Sequence, residues 1–332
     1  MRRPRRPPGT IPHLVNLFTS SHYPLRFPRY SKDMPTTRDL RGPLMGLACA
    51  FTLVALTFAA PQRRDQTIYI TVTDKAGATV QTLGPDDITV REDGAAREVL
   101  KVTGAGGPMQ VALLVDTSSA SAGSIPDLRA AVRAFADQLW AKNQDTQIAL
   151  WSFGERPQLL ADFSTGPAAL GRGVDRLFAG TGSGAYFLDA VMEASAALRK
   201  RDSARAVVVA FVDENGPEFS NRRNDHVQKA LTEARASLWT IVRQGFGGDA
   251  LSPENRERST VIGDVTPRTG GRTLTIFAPS ALKERFTTVA EHLLGQLAVT
   301  YTRPETLVPP EKLEVKLKNS ALKLQAPRWA MR

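Results

Sequence analysis

The chain has 332 residues, 42% of them hydrophobic and 23% charged, which is enough for one full-sized α/β domain of about 200 residues with smaller attachments. Its formal charge of +10 invites a nucleic-acid reading, but nine basic residues against two acidic ones stand in the first 60 positions, so the rest of the chain carries only a small excess and nucleic acid is not expected as a partner. A single cysteine, Cys49, and four histidines without paired spacing (His13, His22, His226, His292) exclude a disulfide framework and a zinc centre.

Residues 1–41 are rich in Pro and Arg, carry no helix or strand period and are expected to be a disordered basic extension. No residue from 42 to 60 is charged. Leu44 to Phe58 is an apolar core, preceded by Arg38 and Arg41 and followed by Ala59-Ala60-Pro61, which is the form of a secretory signal cleaved near Ala59 or Ala60. An uncleaved anchor is the competing reading, since ~18–20 apolar residues span a bilayer. The working protein is therefore expected outside the cytoplasm, periplasmic or secreted, touching membrane only through this segment if it stays uncleaved. Because secretory signals open a chain, Met34 is an alternative start that would make Met34-Pro-Thr-Thr-Arg-Asp-Leu-Arg41 the basic leader. Cys49 lies inside the apolar core and reads as a core cysteine.

The next segment, 66–103, reads as a small all-β module. Ile68-Tyr-Ile-Thr-Val-Thr73 alternates as a strand, Lys75-Ala-Gly77 turns it and Thr79–Leu83 returns. Ile88–Glu92, the Asp93-Gly94 turn and Glu98–Thr103 make a hairpin, because Asp-Gly supplies the positive φ of a tight turn. Gly104 to Pro108 is a short linker, so the module is expected to be separate from, or loosely packed on, the main domain at 108–300.

Val111-Ala-Leu-Leu-Val115 is a short, uniformly apolar run, the mark of a central strand of a parallel sheet buried on both faces. It runs directly into Asp116-Thr-Ser118. Apolar residues at helical spacing follow from Ile125 to Lys142, then a strand at Thr146–Ser152, a short edge strand at Leu159–Ala161, a helix around Ala168–Phe178 and another from Tyr186 to Arg199. The Gly180-Thr-Gly-Ser-Gly184 loop follows a helix rather than the first strand, which is the wrong place for a dinucleotide fingerprint. A second buried strand, Ala206–Val212, ends in Asp213-Glu214-Asn215-Gly216, and a helix at 225–237 leads to the strand Leu238–Arg243. Gly245–Ser259 reads as a long polar loop, Arg272–Phe277 as a strand and Ser280–Leu297 as a helix. Strands at 301–328 close the chain, with Lys312, Lys316, Lys318 and Lys323 at strand spacing as edge protection. Trp140, Trp151 and Trp239 fall at core positions.

Two buried strands ending in carboxylates about 100 residues apart, joined by helical crossovers, resemble the von Willebrand factor A domain, and the text from 66 to 328 resembles the bacterial secreted "VWFA-related" type. The resemblance implies an α/β fold, a doubly wound, mostly parallel Rossmann-like sheet, with the small N-terminal all-β module attached. It also implies a metal-ion-dependent adhesion site, an Asp-x-Ser-x-Ser loop with a Thr and a further Asp on two other loops. Asp116, Ser118 and Asp213 match three of these positions and are the candidate metal ligands. Ala120 and Ala185 stand where the other two hydroxyls belong, so the site is a degenerate one in which Ser119, Ser121, Thr181 or Ser183 would have to supply the missing oxygens. Weak Mg²⁺ or Mn²⁺ binding is the expectation, since Mg²⁺ tolerates several waters. With the two aspartates side by side and no ion, one would take up a proton or be offset by a basic neighbour.

The function implied is an exported, non-enzymatic module that binds an unknown protein ligand. There is no Gly-x-Ser-x-Gly elbow, no cysteine remains after processing, and neither His226 nor His292 has an evident nucleophile nearby. The alternatives are a serine hydrolase with Ser118 as nucleophile and His226 as base, and a purely structural component of an envelope complex.

Overall fold

The computed structural model of this chain describes residues 63–245, 252–304 and 310–329. The basic extension, the apolar segment at 42–60 and the first part of the polar loop after Gly245 lie outside the described residues.

The elements run in the order β1 (Arg63–Thr73), β2 (Ile88–Glu92), β3 (Ala95–Arg97), β4 (Val99–Gly104), β5 (Gln110–Val115), α1 (Ile125–Lys142), β6 (Gln147–Ser152), β7 (Gln158–Ser164), α2 (Pro167–Asp175), α3 (Phe187–Lys200) and β8 (Ala206–Asp213). They continue with α4 (Asn224–Glu233), β9 (Ala236–Arg243), α5 (Pro253–Thr260), α6 (Thr266–Arg268), β10 (Thr273–Ile276), α7 (Leu282–Leu294), β11 (Leu297–Pro304), β12 (Leu313–Leu317) and β13 (Lys323–Gln325).

The central sheet has the order β10-β9-β8-β5-β6-β7, parallel except for the antiparallel edge strand β7. Every residue of β8 is buried, as is β5 from Val111 onward, because helices cover both faces. Successive β5 side chains feed two cores: Val111, Leu113 and Val115 pack with α1 and α7, while Ala112 and Leu114 pack with α3 and α4. The chain leaves β5 toward β6 on one side and later returns to β8 on the other. The strand order therefore reverses between β5 and β8, and their carboxyl ends open the crevice where such sheets bind ligands.

One expected loop is helical. Residues 253–268 form α5, a π-turn at Val261–Val265 and α6. Ser252 caps this run, its Oγ accepting from Asn255 N at 3.1 Å, and Pro253 takes the first helical position where its missing N–H costs nothing. The Ser-Pro-Glu start is a legible helix signal, masked by the polar composition of residues 254–260.

The leader and terminal strands pair with each other. One sheet has the order β13-β1-β11-β4 and a second β12-β2-β3, with Ile70, Val72, Val90, Val299 and Leu313 between them. The segments 66–103 and 301–328, read from sequence as two attachments, thus share one core, and β11 begins directly after α7 of the main domain. Strand pairing over more than 200 residues has no local sequence signal. The expected return strand at Thr79–Leu83 is reduced to a single bridge, Thr73 to Thr79. Buried Glu92 ties the module together, accepting from Tyr301 Oη at 2.9 Å and from Arg97 Nε at 2.9 Å.

Candidate functional site

Asp116 follows the last residue of β5, Asp213 ends β8 and Arg243 ends β9, so three adjacent parallel strands deliver charged side chains to one edge. The register sets Asp213 opposite Arg243. Asp116, Ser118 and Asp213 are brought together and fully buried there.

Each carboxylate oxygen is already engaged. Asp116 Oδ1 accepts from Ser118 N at 2.8 Å and its Oδ2 from Asp213 N at 3.0 Å, so the side chain stitches the end of β5 to the end of β8. Asp213 Oδ1 accepts from the backbone and side-chain amides of Asn215, at 3.1 and 2.9 Å. Its Oδ2 accepts from Arg243 Nε at 2.7 Å and from Ser121 Oγ at 3.5 Å, and pairs with Arg243 Nη2 at 2.5 Å. Arg243 Nη2 also donates to Ala120 O at 2.8 Å. Burial pushes the Asp116 carboxyl above the ordinary carboxylate range; hydrogen bonds from Ser118 and the Asp213 backbone oppose this, and the Asp213 charge adds to it.

The basic neighbour is therefore Arg243, which the sequence marks only as the end of a strand. Only the pairing of β9 beside β8 sets it next to Asp213. Of the four replacement hydroxyls, Ser121 alone turns toward a carboxylate. Ser119 Oγ donates to Ser183 O at 2.9 Å, Ser183 Oγ has no partner among the described residues, and Thr181 is exposed. Ala120 and Ala185 contribute methyl groups. Glu214 is half-buried, its N–H donating to Arg243 O at 3.0 Å.

This arrangement does not fit a divalent cation. Such an ion needs free oxygen lone pairs at ~2.1 Å in octahedral array. Here the Arg243 guanidinium already spans Asp213 Oδ2 and the Ala120 carbonyl, so a cation occupies the place an ion would need. Ser118 Oγ is the one buried oxygen of the three candidate ligands without a hydrogen-bond partner among the described residues. The loop after Asp213 closes over it: a Cβ placed on Gly216 would stand 3.0 Å from Ala120 Cβ and 3.4 Å from Ser118 Oγ. No group of three or more His, Cys, Asp or Glu among the described residues is arranged to hold a metal. His226, the base considered for Ser118, is exposed on the first turn of α4, its Nδ1 accepting from Arg223 N at 3.4 Å.

A third buried acid, Glu218, lies beside the site. Its Oε1 accepts from Phe187 N at 3.0 Å, at the start of α3, and from Ser220 N at 3.2 Å, while its own N–H donates to Asn255 Oδ1 at 2.9 Å. Burial raises its pKa to about 7, opposed by the Ser220 hydrogen bonds and by Arg258. Arg258, also buried, donates from Nη1 to Gly216 O at 2.9 Å. The hidden helix α5 thus supports the Asp213 loop through Asn255 and Arg258, which sequence reasoning missed because it took this segment for a loop.

Exposed aromatic side chains ring the same edge. Phe219 lies in the loop between β8 and α4, its N–H donating to Ala185 O, and Phe277 follows β10, whose last residue pairs with Arg243. Phe178 precedes the loop whose Gly180 N–H donates to Thr117 O, and its ring lies under the Arg129 guanidinium at 4.9 Å. Their exposures, in the order Phe219, Phe277 and Phe178, are 50%, 71% and 68%, unusual for phenylalanine.

Residues 111–216 match the family described as von Willebrand factor type A domain. A comparison with curated proteins found no match. Among solved structures, the chain is similar to the SpRpn10 VWA domain, at 16% identity and TM-score 0.40, covering 53% of this chain and 92% of that one. It is also similar to the von Willebrand factor type A protein from Catenulispora acidiphila, at 10% identity and TM-score 0.46, covering 81% and 74%. A third is proximal thread matrix protein 1 from the mussel byssus with zinc occupied MIDAS motif, at 16% identity and TM-score 0.46, covering 61% of this chain and about half (49%) of that one.

Proposed function

Because this chain carries a von Willebrand factor type A domain, we propose that it is an exported, non-enzymatic interaction module that holds a protein partner on the carboxyl edge of its parallel sheet. The observation that carries this reading is the placement of Phe178, Phe219 and Phe277, three of the five exposed large hydrophobic side chains among the described residues, around the Asp116–Asp213–Arg243 cluster. Exposed aromatics rimming a polar centre have the composition of an interface, where a few aromatic and arginine side chains supply most of the binding energy. The edge is also rigid: Asp116 and Asp213 tie the strand ends together, and α5 braces the loop above them, so little order has to be imposed on binding.

The module formed by β1–β4 and β11–β13 belongs to the same reading as a support for the binding domain. It draws strands from both sides of the parallel sheet in sequence, and the binding edge belongs to the sheet alone.

The test is capture of proteins from the extracytoplasmic fraction of the source cells by the immobilised chain and by a Phe178→Ser, Phe219→Ser, Phe277→Ser variant. Hot-spot aromatics cost ~1–2 kcal/mol or more each on truncation, so the variant is expected to lose the partner by at least tenfold while melting as the parent does. Equal capture by both would overturn the reading.

A further inference from the structure

We propose that Arg243 is a built-in cation: its guanidinium stands where the family's site would hold a metal ion, and this edge keeps its positive centre without binding a divalent metal. Three observations place it. The side chain starts at the end of β9 and passes over the end of β8 to reach Ala120 O on the loop after β5. It therefore bridges the same two loops that carry Asp116 and Asp213. Nε and Nη2 both meet Asp213 Oδ2, at 2.7 and 2.5 Å, so that carboxylate oxygen already has its cation. The loop position that would donate a second hydroxyl is Ala120, and the guanidinium instead uses that residue's backbone carbonyl.

The loss of two hydroxyls and the presence of Arg243 then have one explanation. A guanidinium supplies N–H donors and needs acceptors; a divalent ion needs many oxygens. Once the arginine is in place, Ser and Thr hydroxyls at 120 and 185 have no charge to coordinate, and methyl groups pack there equally well. The difference has a functional consequence. A bound ion is exchangeable and depends on its concentration, whereas the Arg243 guanidinium is covalently part of the chain.

The experiment is a Mn²⁺ titration of the purified chain, followed by electron paramagnetic resonance of the free ion and by melting temperature. Three forms are compared: the natural chain, Ala120→Ser with Ala185→Thr, and those two changes with Arg243→Ala. The natural chain and the double variant are expected to leave millimolar Mn²⁺ free and their melting unchanged. The triple variant should take up one ion per chain, with a melting rise of several degrees that Asp116→Ala abolishes. Uptake by the natural chain that Asp116→Ala removes would overturn the proposal, as would equal uptake by the double and triple variants. A folded triple variant that binds nothing would also overturn it, because lost hydroxyls rather than Arg243 would then explain the absence of metal. If the triple variant fails to fold, the natural chain decides alone: the Arg243 Nε–H resonance should show no Mn²⁺ broadening beyond that of exposed arginines, and selective broadening would refute the assignment.

Discussion

Replacing Arg243 by Met removes the only cation paired with Asp213 among the described residues, while the carboxylate stays fully buried at the sheet edge. Breaking a buried ion pair by deleting one partner costs ~3–5 kcal/mol, because the remaining charge has lost its compensation but not its burial. Asn215 still supplies two N–H donors and Ser121 a hydroxyl, which puts the expected loss near the lower end, about 3 kcal/mol. For a folded unit of this size each kcal/mol moves the melting temperature by ~2–4 °C, so a fall of about 6–12 °C is expected. Asp213→Asn combined with Arg243→Met removes both charges and should recover much of the loss. The coupling from the four melting curves, with urea titrations to fix the free energies, should reach about 2 kcal/mol. A loss under about 1 kcal/mol for Arg243→Met, or additive effects, would show that the pair does not hold the edge together and would refute the reasoning.

The same geometry sets three more outcomes. Glu218 keeps its proton to about pH 7 in the folded chain but releases it near 4.5 when unfolded; the folded state then binds more protons between these values, and stability falls as pH rises through that window. The fall totals about 3 kcal/mol, flattens above pH 7 and should be absent from Glu218→Gln; an unchanged slope in that variant would exclude Glu218 as its source. A chain beginning at Gly107 lacks both strands that flank β11, exposing Leu297, Val299 and Tyr301, and is expected to aggregate or melt without cooperativity on a calorimeter, whereas a soluble, cooperatively unfolding product would show the shared module to be dispensable. A fluorophosphonate probe should leave Ser118 unlabelled, since it is fully buried and its Oγ has no hydrogen-bond partner among the described residues, and labelling lost in Ser118→Ala would establish an active serine instead.

The sheet was legible because its signals are local. Val111–Val115 and Ala206–Val212 are apolar runs that only a doubly covered strand tolerates, and the acid at the end of each marks the ligand edge. Two features were not legible for opposite reasons. Arg243 is one residue in an ordinary strand, and its meaning comes from a neighbour 30 positions away that only the strand order brings alongside. The union of β1 with β11 pairs residues more than 200 apart, so neither strand's alternation says which partner it has. Helix α5 differs from both, since its Ser252 cap and Pro253 were present in the sequence and a run of polar residues concealed them.

The measurement closest to the central claim is site-specific photo-crosslinking of the partner, with p-benzoylphenylalanine placed at Phe219, at Phe277 and, as a control in the strand module, at Leu100. Leu100 is also exposed, at 42%, but it lies on β4, away from the sheet edge. The account predicts crosslinks from positions 219 and 277 and none from 100, with equal yield in EDTA and in millimolar Mg²⁺. Crosslinks confined to position 100, or a yield at the edge that vanishes in EDTA, would contradict it.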